Sequence, residues 1–252
     1  MCTLVISRVP GAPWPTVIAA NRDEMLDRPW DPPAAHWPTH PGSVGGRDRL
    51  AGGTWMAMAG GMVAAVLNRP GSLGPAAGFR SRGELPLAAL GHATAGAAAA
   101  ALDGQDGSAW RPFNLVVADA ASAWLLVGDG PGPIAATALP EGVAMITAVG
   151  HDEGETARAR LHLPRFRAAP HPSPATADAW AALLSATDAE PGAGPRGVLA
   201  VLPDRGYGTV SASLVFLPAG DGAPLWLFAP GPAGRARLAP VALARAGVSA
   251  QP

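Results

Sequence analysis

The chain contains no lysine and almost no cysteine. All 18 of its basic residues are arginine, set against 19 acidic ones for a net charge of −1. That balance excludes the bulk polycationic surface that binds nucleic acid or anionic membrane without sequence preference. The single thiol, Cys2, excludes internal disulfides and a multi-cysteine zinc site, and with no CxxCH there is no covalent haem attachment. No run approaches the roughly 18 apolar residues a membrane span needs. The first apolar run, Cys2 to Ile6, is too short for a secretory signal and meets Arg8 and Pro10. The expectation is a soluble cytoplasmic protein with no nucleic-acid partner and no membrane span.

What the chain does have is 32 glycines and 28 prolines among 252 residues, a content that approaches the disordered range. The 48% hydrophobic content argues against disorder, because it falls in short runs with strand-like or helical spacing. Strands are predicted at 3–8, 16–22, 54–58, 62–68, 113–119, 123–129, 143–149, 198–202, 209–217 and 224–229. Residues 24–52 read as irregular. Helices are predicted from Arg82 to about Leu102, interrupted near Gly91 and restarted at Thr94 as an N-cap, and at 154–168 and 175–186. Hairpin connections make the sheets mostly antiparallel with helices on the outer faces, an α+β layered architecture. With no repeat and no long linker, residues 1–252 read as a single domain.

The first hairpin concentrates polar residues near the thiol. With its turn centred near residues 12–13, Cys2 faces Asp23, Leu4 faces Asn21 and Ile6 faces Ala19. Alternation then puts Cys2, Asn21 and Asp23 on one face and turns Arg22 away. A change of one residue in register brings Arg22 opposite instead. In either case the run Asn21-Arg22-Asp23-Glu24 ends beside Cys2.

Position 2 matters chemically. A small residue there favours removal of Met1, which leaves Cys2 with a free α-amine. With a pKa near 7.7–8.0, roughly a tenth or more of that amine is neutral at pH 7. It can serve as the base for the adjacent thiol. A nearby Arg favours the thiolate, and a nearby Asp holds and orients the ammonium form.

These residues also carry a resemblance. MCTLVI, AANRDE followed by Arg28-Pro29, GGRD (45–48), AGGTW (51–55), Leu67-Asn68-Arg69 and Ser81-Arg82-Gly83 resemble the transport and Golgi organisation family, also called the NRDE-motif family. The motifs run in order over residues 2–83; FNLVVAD (113–119), GHDEGETARARLHLP (150–164) and the strand opening at Tyr207 match more loosely. The resemblance implies the four-layer αββα fold of N-terminal-nucleophile hydrolases. A more distant similarity is to bile-salt and penicillin V acylases, which also begin Met-Cys-Thr. By that similarity Cys2 is nucleophile and base, Asp23 contacts the α-amine and Asn68 lies near the oxyanion. The acylases place an Arg one residue before the Asn, where this chain has Ala20; its Arg22 comes one residue after.

Two functions follow as expectations. The family's associations imply a protein that binds and mobilises a hydrophobic anionic ligand, haem or acyl-CoA. Haem would be cargo there, and no resident cofactor or metal is required. The alternative is an N-terminal cysteine amidohydrolase or thioesterase acting on linear amides or thioesters. The candidate catalytic residues are Cys2, Asn21, Arg22, Asp23, Asn68 and Asn114, with the last two asparagines as oxyanion donors. The candidate ligand-binding residues are Glu24, Arg47, Asp48, Trp55, Arg69 and Arg82. Arg69, Arg80 and Arg82 cluster around a Gly/Pro loop that either binds a carboxylate or phosphate or is simply solvated. GGRD and AGGTW allow close backbone approach to a ligand or form tight turns around a buried Trp. The run His151-Asp152-Glu153 reads as a helix cap. The remaining histidines, His36, His40, His92, His162 and His171, show no ligand spacing.

Overall fold

The computed structural model describes residues 2–72, 74 and 76–243. Fourteen strands are described: β1 (Thr3–Arg8), β2 (Thr16–Met25), β3 (Trp30–Ala34), β4 (Val44–Asp48), β5 (Thr54–Ala59), β6 (Met62–Asn68), β7 (Phe113–Ala118), β8 (Ala123–Gly128), β9 (Ala135–Ala138), β10 (Gly142–Thr147), β11 (Gly150–His151), β12 (Tyr207–Leu217), β13 (Leu225–Ala229) and β14 (Ala239–Pro240). Four α-helices accompany them: α1 (Glu84–Ala89), α2 (Ala95–Leu102), α3 (Ala157–Ala168) and α4 (Ala177–Leu184). The strands form two seven-stranded sheets, ordered β11-β10-β1-β2-β12-β13-β14 and β3-β4-β5-β6-β7-β8-β9, with every named pair antiparallel.

Period-two alternation builds the layers. In β1, Leu4 and Ile6 point into the core between the sheets, while Val5 points to the layer of α3 and α4. The inner core takes Ile18, Val215 and Trp226 from the first sheet and Met56, Val63 and Leu125 from the second. A third cluster packs Leu85, Leu90 and Leu102 of the α1–α2 region under Leu115 and Leu126. The result is α1–α2, sheet, sheet, α3–α4: the expected αββα stack. β7 is buried along its whole length because it is covered on both faces, which is why FNLVVA reads as a nearly continuous apolar run.

Local signals place the helices well. Thr94 caps α2 by accepting from the Ala97 N–H at 3.1 Å, and Thr156 caps α3 by accepting from Ala159 N–H at 3.1 Å. The Asp152 carboxylate accepts from the backbone N–H groups of Gly154 and Glu155 ahead of that cap.

Three expectations are corrected. The stretch 24–52 is not wholly irregular, since β2 runs on to Met25 and β3 and β4 follow. Residues 198–202 form no strand. β12 already pairs with β2 on one side and β13 on the other, so VLAVL packs as a largely buried loop. It is held to β12 by Thr209 N–H to Val201 O and Val201 N–H to Thr209 Oγ1, each at 2.8 Å, and to the end of α4 by the N–H groups of Leu199 and Ala200 on Ala186 O. The third correction is the register of the first hairpin. Thr3 pairs with Asn21 and Leu4 with Ala20, one residue away from the pairing centred at 12–13.

GGRD and AGGTW meet across β4 and β5. A Cβ on Gly46 would lie 2.1 Å from the Trp55 ring, so the bare backbone there is the bed on which the indole rests. Gly46→Ala is therefore expected to cost about 1–3 kcal/mol by overpacking, read as a lowered urea midpoint. An unchanged midpoint would show that Trp55 has room to move.

Candidate functional site

Strand alternation, applied to the observed register, divides the NRDE segment. Continued by one step, the pairing sets Cys2 beside Arg22. Cys2 and Ala20 pack against the inner core, and the Arg22 guanidinium lies 4.2 Å over the Trp55 ring on the same side. Asn21 and Asp23 point the other way, toward α3 and α4. The expectation that Cys2, Asn21 and Asp23 share one face is overturned, and Arg22 takes their place. The acylase-like Arg two positions earlier would occupy the same face, because a shift of two residues preserves orientation in a strand.

In front, Arg22 anchors a charged group. Its Nη2 lies 3.7 Å from Glu24 and 3.9 Å from Asp48, and Arg28 donates to Asp48 at 2.6 Å. Asp48 also accepts from the N–H groups of Leu50 and Ala51, each at 3.0 Å, so GGRD and NRDE close on each other through one carboxylate. Stacking on an indole and ion pairing in a partly dry site hold the guanidinium where the thiol is. Burial lowers the pKa of Arg22, and the negative charges around it, Glu24 and Asp48 among them, oppose that shift.

Behind the sheet, Asn21 donates to the carbonyls of Leu184 at 2.8 Å and Leu199 at 3.0 Å, tying β2 to α4 and to the 198–202 loop. Its amide is a brace. The Asp23 carboxylate is fully enclosed, accepts from Thr209 Oγ1 at 2.6 Å and lies 3.7 Å from Arg158. Arg158 also donates to Thr3 Oγ1 at 2.5 Å. The backbone of Asp23 turns back toward the thiol, with its carbonyl oxygen 3.7 Å from Cys2 Sγ.

Burial pushes the Cys2 thiol up, the charge of Asp23 adds to that, and Arg22 pulls in the opposite direction. The thiol is thus held protonated and needs a base to act. Burial also raises the pKa of Asp23, against the pull of Arg158. Folding then favours the protonated acid, so this group's contribution to stability declines as pH rises from the ordinary carboxylate value through the raised one.

Cys2 opens onto a cleft of about 620 Å³, within the usual range for small-molecule sites. Of the candidates named from sequence, Arg22, Asp23, Glu24, Asp48, Trp55, Asn68 and Arg82 line it with Cys2. Asn114 does not: its Nδ2 donates to the carbonyls of Thr147 and Ala148, and its Oδ1 accepts from Arg69, clipping one sheet to the other. Arg69 is further held by Asp129 at 2.6 Å. Arg47 pairs with Asp31 away from the cleft, where hydrogen bonds from Arg49 and Arg47 bring the Asp31 carboxyl down to about 2.

The cleft also contains residues that sequence reasoning missed, among them Arg111, Phe79 and the chain's one tyrosine, Tyr207. Arg28 belongs to a recognised motif that implied no role for it. Nothing in the local sequence marks Arg111; Arg158, Tyr207 and Thr209 lie in segments that match the family loosely but implied no role for them, and they reach the site through sheet pairing and helix packing.

A family model described as Transport and Golgi organisation 2 matches residues 1–145. No curated protein matches the chain. Among solved structures, a Caenorhabditis elegans N-acylethanolamine-hydrolyzing acid amidase ortholog superposes with a TM-score of 0.50 at 12% identity, covering 84% of this chain and 92% of its own. That likeness shows a shared fold, the N-terminal-nucleophile-hydrolase sandwich. Arg158 and Thr209, which hold Asp23, lie beyond the family match.

Removing one partner of a buried ion pair strands the other. Arg158→Met is expected to cost about 3–5 kcal/mol in urea denaturation, with much of the loss restored by adding Asp23→Asn. A single-variant cost below about 1 kcal/mol would mean that Asp23 does not depend on Arg158.

Proposed function

This chain belongs to the transport and Golgi organisation 2 family, and on that premise we propose that it is a cysteine hydrolase of the N-terminal-nucleophile type, acting on an amide or thioester of a small molecule. The observation that supports this best is the joint placement of three groups at the head of the cleft. The Cys2 thiol has the Arg22 guanidinium on its own face and the enclosed Asp23 carboxylate behind the strand end.

The chemistry runs from these positions. Loss of Met1 gives Cys2 an α-amine, which takes the proton from Sγ as sulfur attacks the substrate carbonyl carbon. Arg22 favours the thiolate as it forms, and Asp23 favours the resulting ammonium. The oxyanion of the tetrahedral adduct is met by the Asn68 side-chain amide. The ammonium then gives its proton to the leaving nitrogen or sulfur, the carbonyl-to-leaving-group bond breaks, and an S-acyl cysteine remains. Water, deprotonated by the same amine, attacks that thioester; the carboxylic acid departs and the thiol is restored. A thiol whose pKa is raised suits this scheme, because the base is built into the same residue.

A carrier for haem or acyl-CoA is the second reading. It is favoured by the composition of the cleft, in which Arg22, Arg28, Arg80, Arg82 and Arg111 share the walls with Trp55 and Phe79. No histidine lines the cleft among the described residues, so an iron bound there would have Cys2 as its one thiolate or imidazole neighbour.

Intact-mass measurement is expected to show loss of Met1, and Cys2→Ala to reduce hydrolysis of fluorogenic acyl amides or thioesters by about a thousandfold or more. Retained Met1, or turnover that survives Cys2→Ala, would contradict the hydrolase. Saturable haemin binding without any such turnover would favour the carrier.

A further inference from the structure

Cys2 stands between two spaces of unequal size. On one side is the cleft of about 620 Å³; on the other, between the two sheets, is a pocket of about 20 Å³. Cys2, Arg22, Trp55 and Val66 border both. A step in side-chain volume makes the smaller space. Along the inner faces of β2 and β12 the paired residues are Ile18 with Val215, then Ala20 with Ser213, then Arg22 with Ser211. On the facing sheet, Ala65 stands between Val63 and Leu67. Stacked sheets keep a spacing of about 10 Å from one pair to the next, so exchanging Ile and Val for Ala and Ser leaves a gap. That gap lies beside the thiol, and Leu4, Met56 and Leu67, all buried, wall it.

The pocket also has a donor to offer. Arg22 lines it, is 6% exposed, and has its Nη2 near Glu24 and Asp48. Its Nη1 is buried with no hydrogen-bond partner among the described residues. A buried donor left unpaired is uncommon, and a carbonyl oxygen brought beside Cys2 would pair it.

Attack by Sγ on a carbonyl carbon leaves the two halves of the substrate on different sides of that carbon. The half that departs first needs a way out; the half that stays on sulfur does not. The open cleft therefore suits the leaving amine or thiol, and the walled pocket suits the acyl group. Roughly 10–15 Å³ holds one water. A pocket of about 20 Å³ thus admits a methyl or ethyl group and no long chain.

We propose that the pocket between the sheets is an acyl subsite, and that the substrate is a short-chain amide or thioester, acetyl or propionyl, whose bulk lies in its leaving group. This deepens the hydrolase reading and rests on it. The bond from Sγ to the carbonyl carbon forms, and the carbon–nitrogen or carbon–sulfur bond to the leaving group breaks. The leaving group takes the ammonium proton and departs by the cleft. Water arrives by the same route, and its addition releases acetic or propionic acid and restores the thiol.

The test uses the full chain and the thiophenol thioesters of acetic, propionic, hexanoic and octanoic acids, each rate divided by that with free cysteine. The kcat/KM for thiophenol release is expected to be at least about a hundredfold higher for acetyl and propionyl than for hexanoyl and octanoyl. Met56→Ala, which lengthens the pocket, should raise the hexanoyl rate relative to the acetyl rate by about tenfold or more. Should that variant fold poorly, Ala65→Val supplies the second arm: by narrowing the pocket it should lower the propionyl rate more than the acetyl rate. Equal rates across the series, or a chain-length profile that neither variant moves, would overturn the acyl subsite and leave the hydrolase reading standing. If no thioester of any length is turned over and intact mass shows no acyl adduct on Cys2, the subsite and the hydrolase reading fall together.

Discussion

Pairing between Thr3–Arg8 and Thr16–Met25 is the constraint on which the site depends, because strand geometry leaves no freedom in how consecutive side chains are distributed. In the observed register, four adjacent polar residues serve two faces of one sheet. Arg22 and Glu24 turn to the cleft, and Asn21 and Asp23 turn to the helices. A short segment can therefore supply a cation beside the thiol and an anion beneath it. Neither arrangement would survive a slip of one residue, which would exchange the two pairs.

The price of this arrangement is burial of charge, and the surrounding elements are arranged to bear it. Asp23 has Thr209 from β12 and Arg158 from α3; Arg22 has the Trp55 ring from β5 and two carboxylates. Trp55 in turn depends on the absence of a side chain at Gly46 and is met edge-on by Trp30 at 5.7 Å. The glycine-rich motifs thus act through packing: they create the aromatic surface that fixes the cleft's central guanidinium. Asn114, expected near the reacting carbonyl, serves as a clip between sheets, so oxyanion stabilisation in the proposed mechanism falls to Asn68.

Much of the layered fold was legible because it rests on local rules. Short apolar runs bounded by turn residues marked β1, β6 and β8, Thr94 marked the start of α2, and hairpin connections implied antiparallel sheets. The motifs at 21–24, 45–48 and 51–55 did converge. Register was not legible, since Pro10 to Pro15 accommodate more than one turn centre and both choices bury similar apolar residues. VLAVL at 198–202 has strand character but met a sheet whose positions were filled, a tertiary outcome with no local signature. Arg111 and Arg158 were out of reach for a related reason: each belongs to the site through contacts spanning tens to more than a hundred residues.

The claim that Arg22 shares the thiol's face, while Asn21 does not, can be put to one direct measurement: the pH dependence of Cys2 alkylation in the wild-type chain and in Arg22→Met. Loss of a neighbouring cation should move the midpoint of thiol reactivity upward. An unmoved midpoint in a folded Arg22→Met chain would contradict the register and the site built on it.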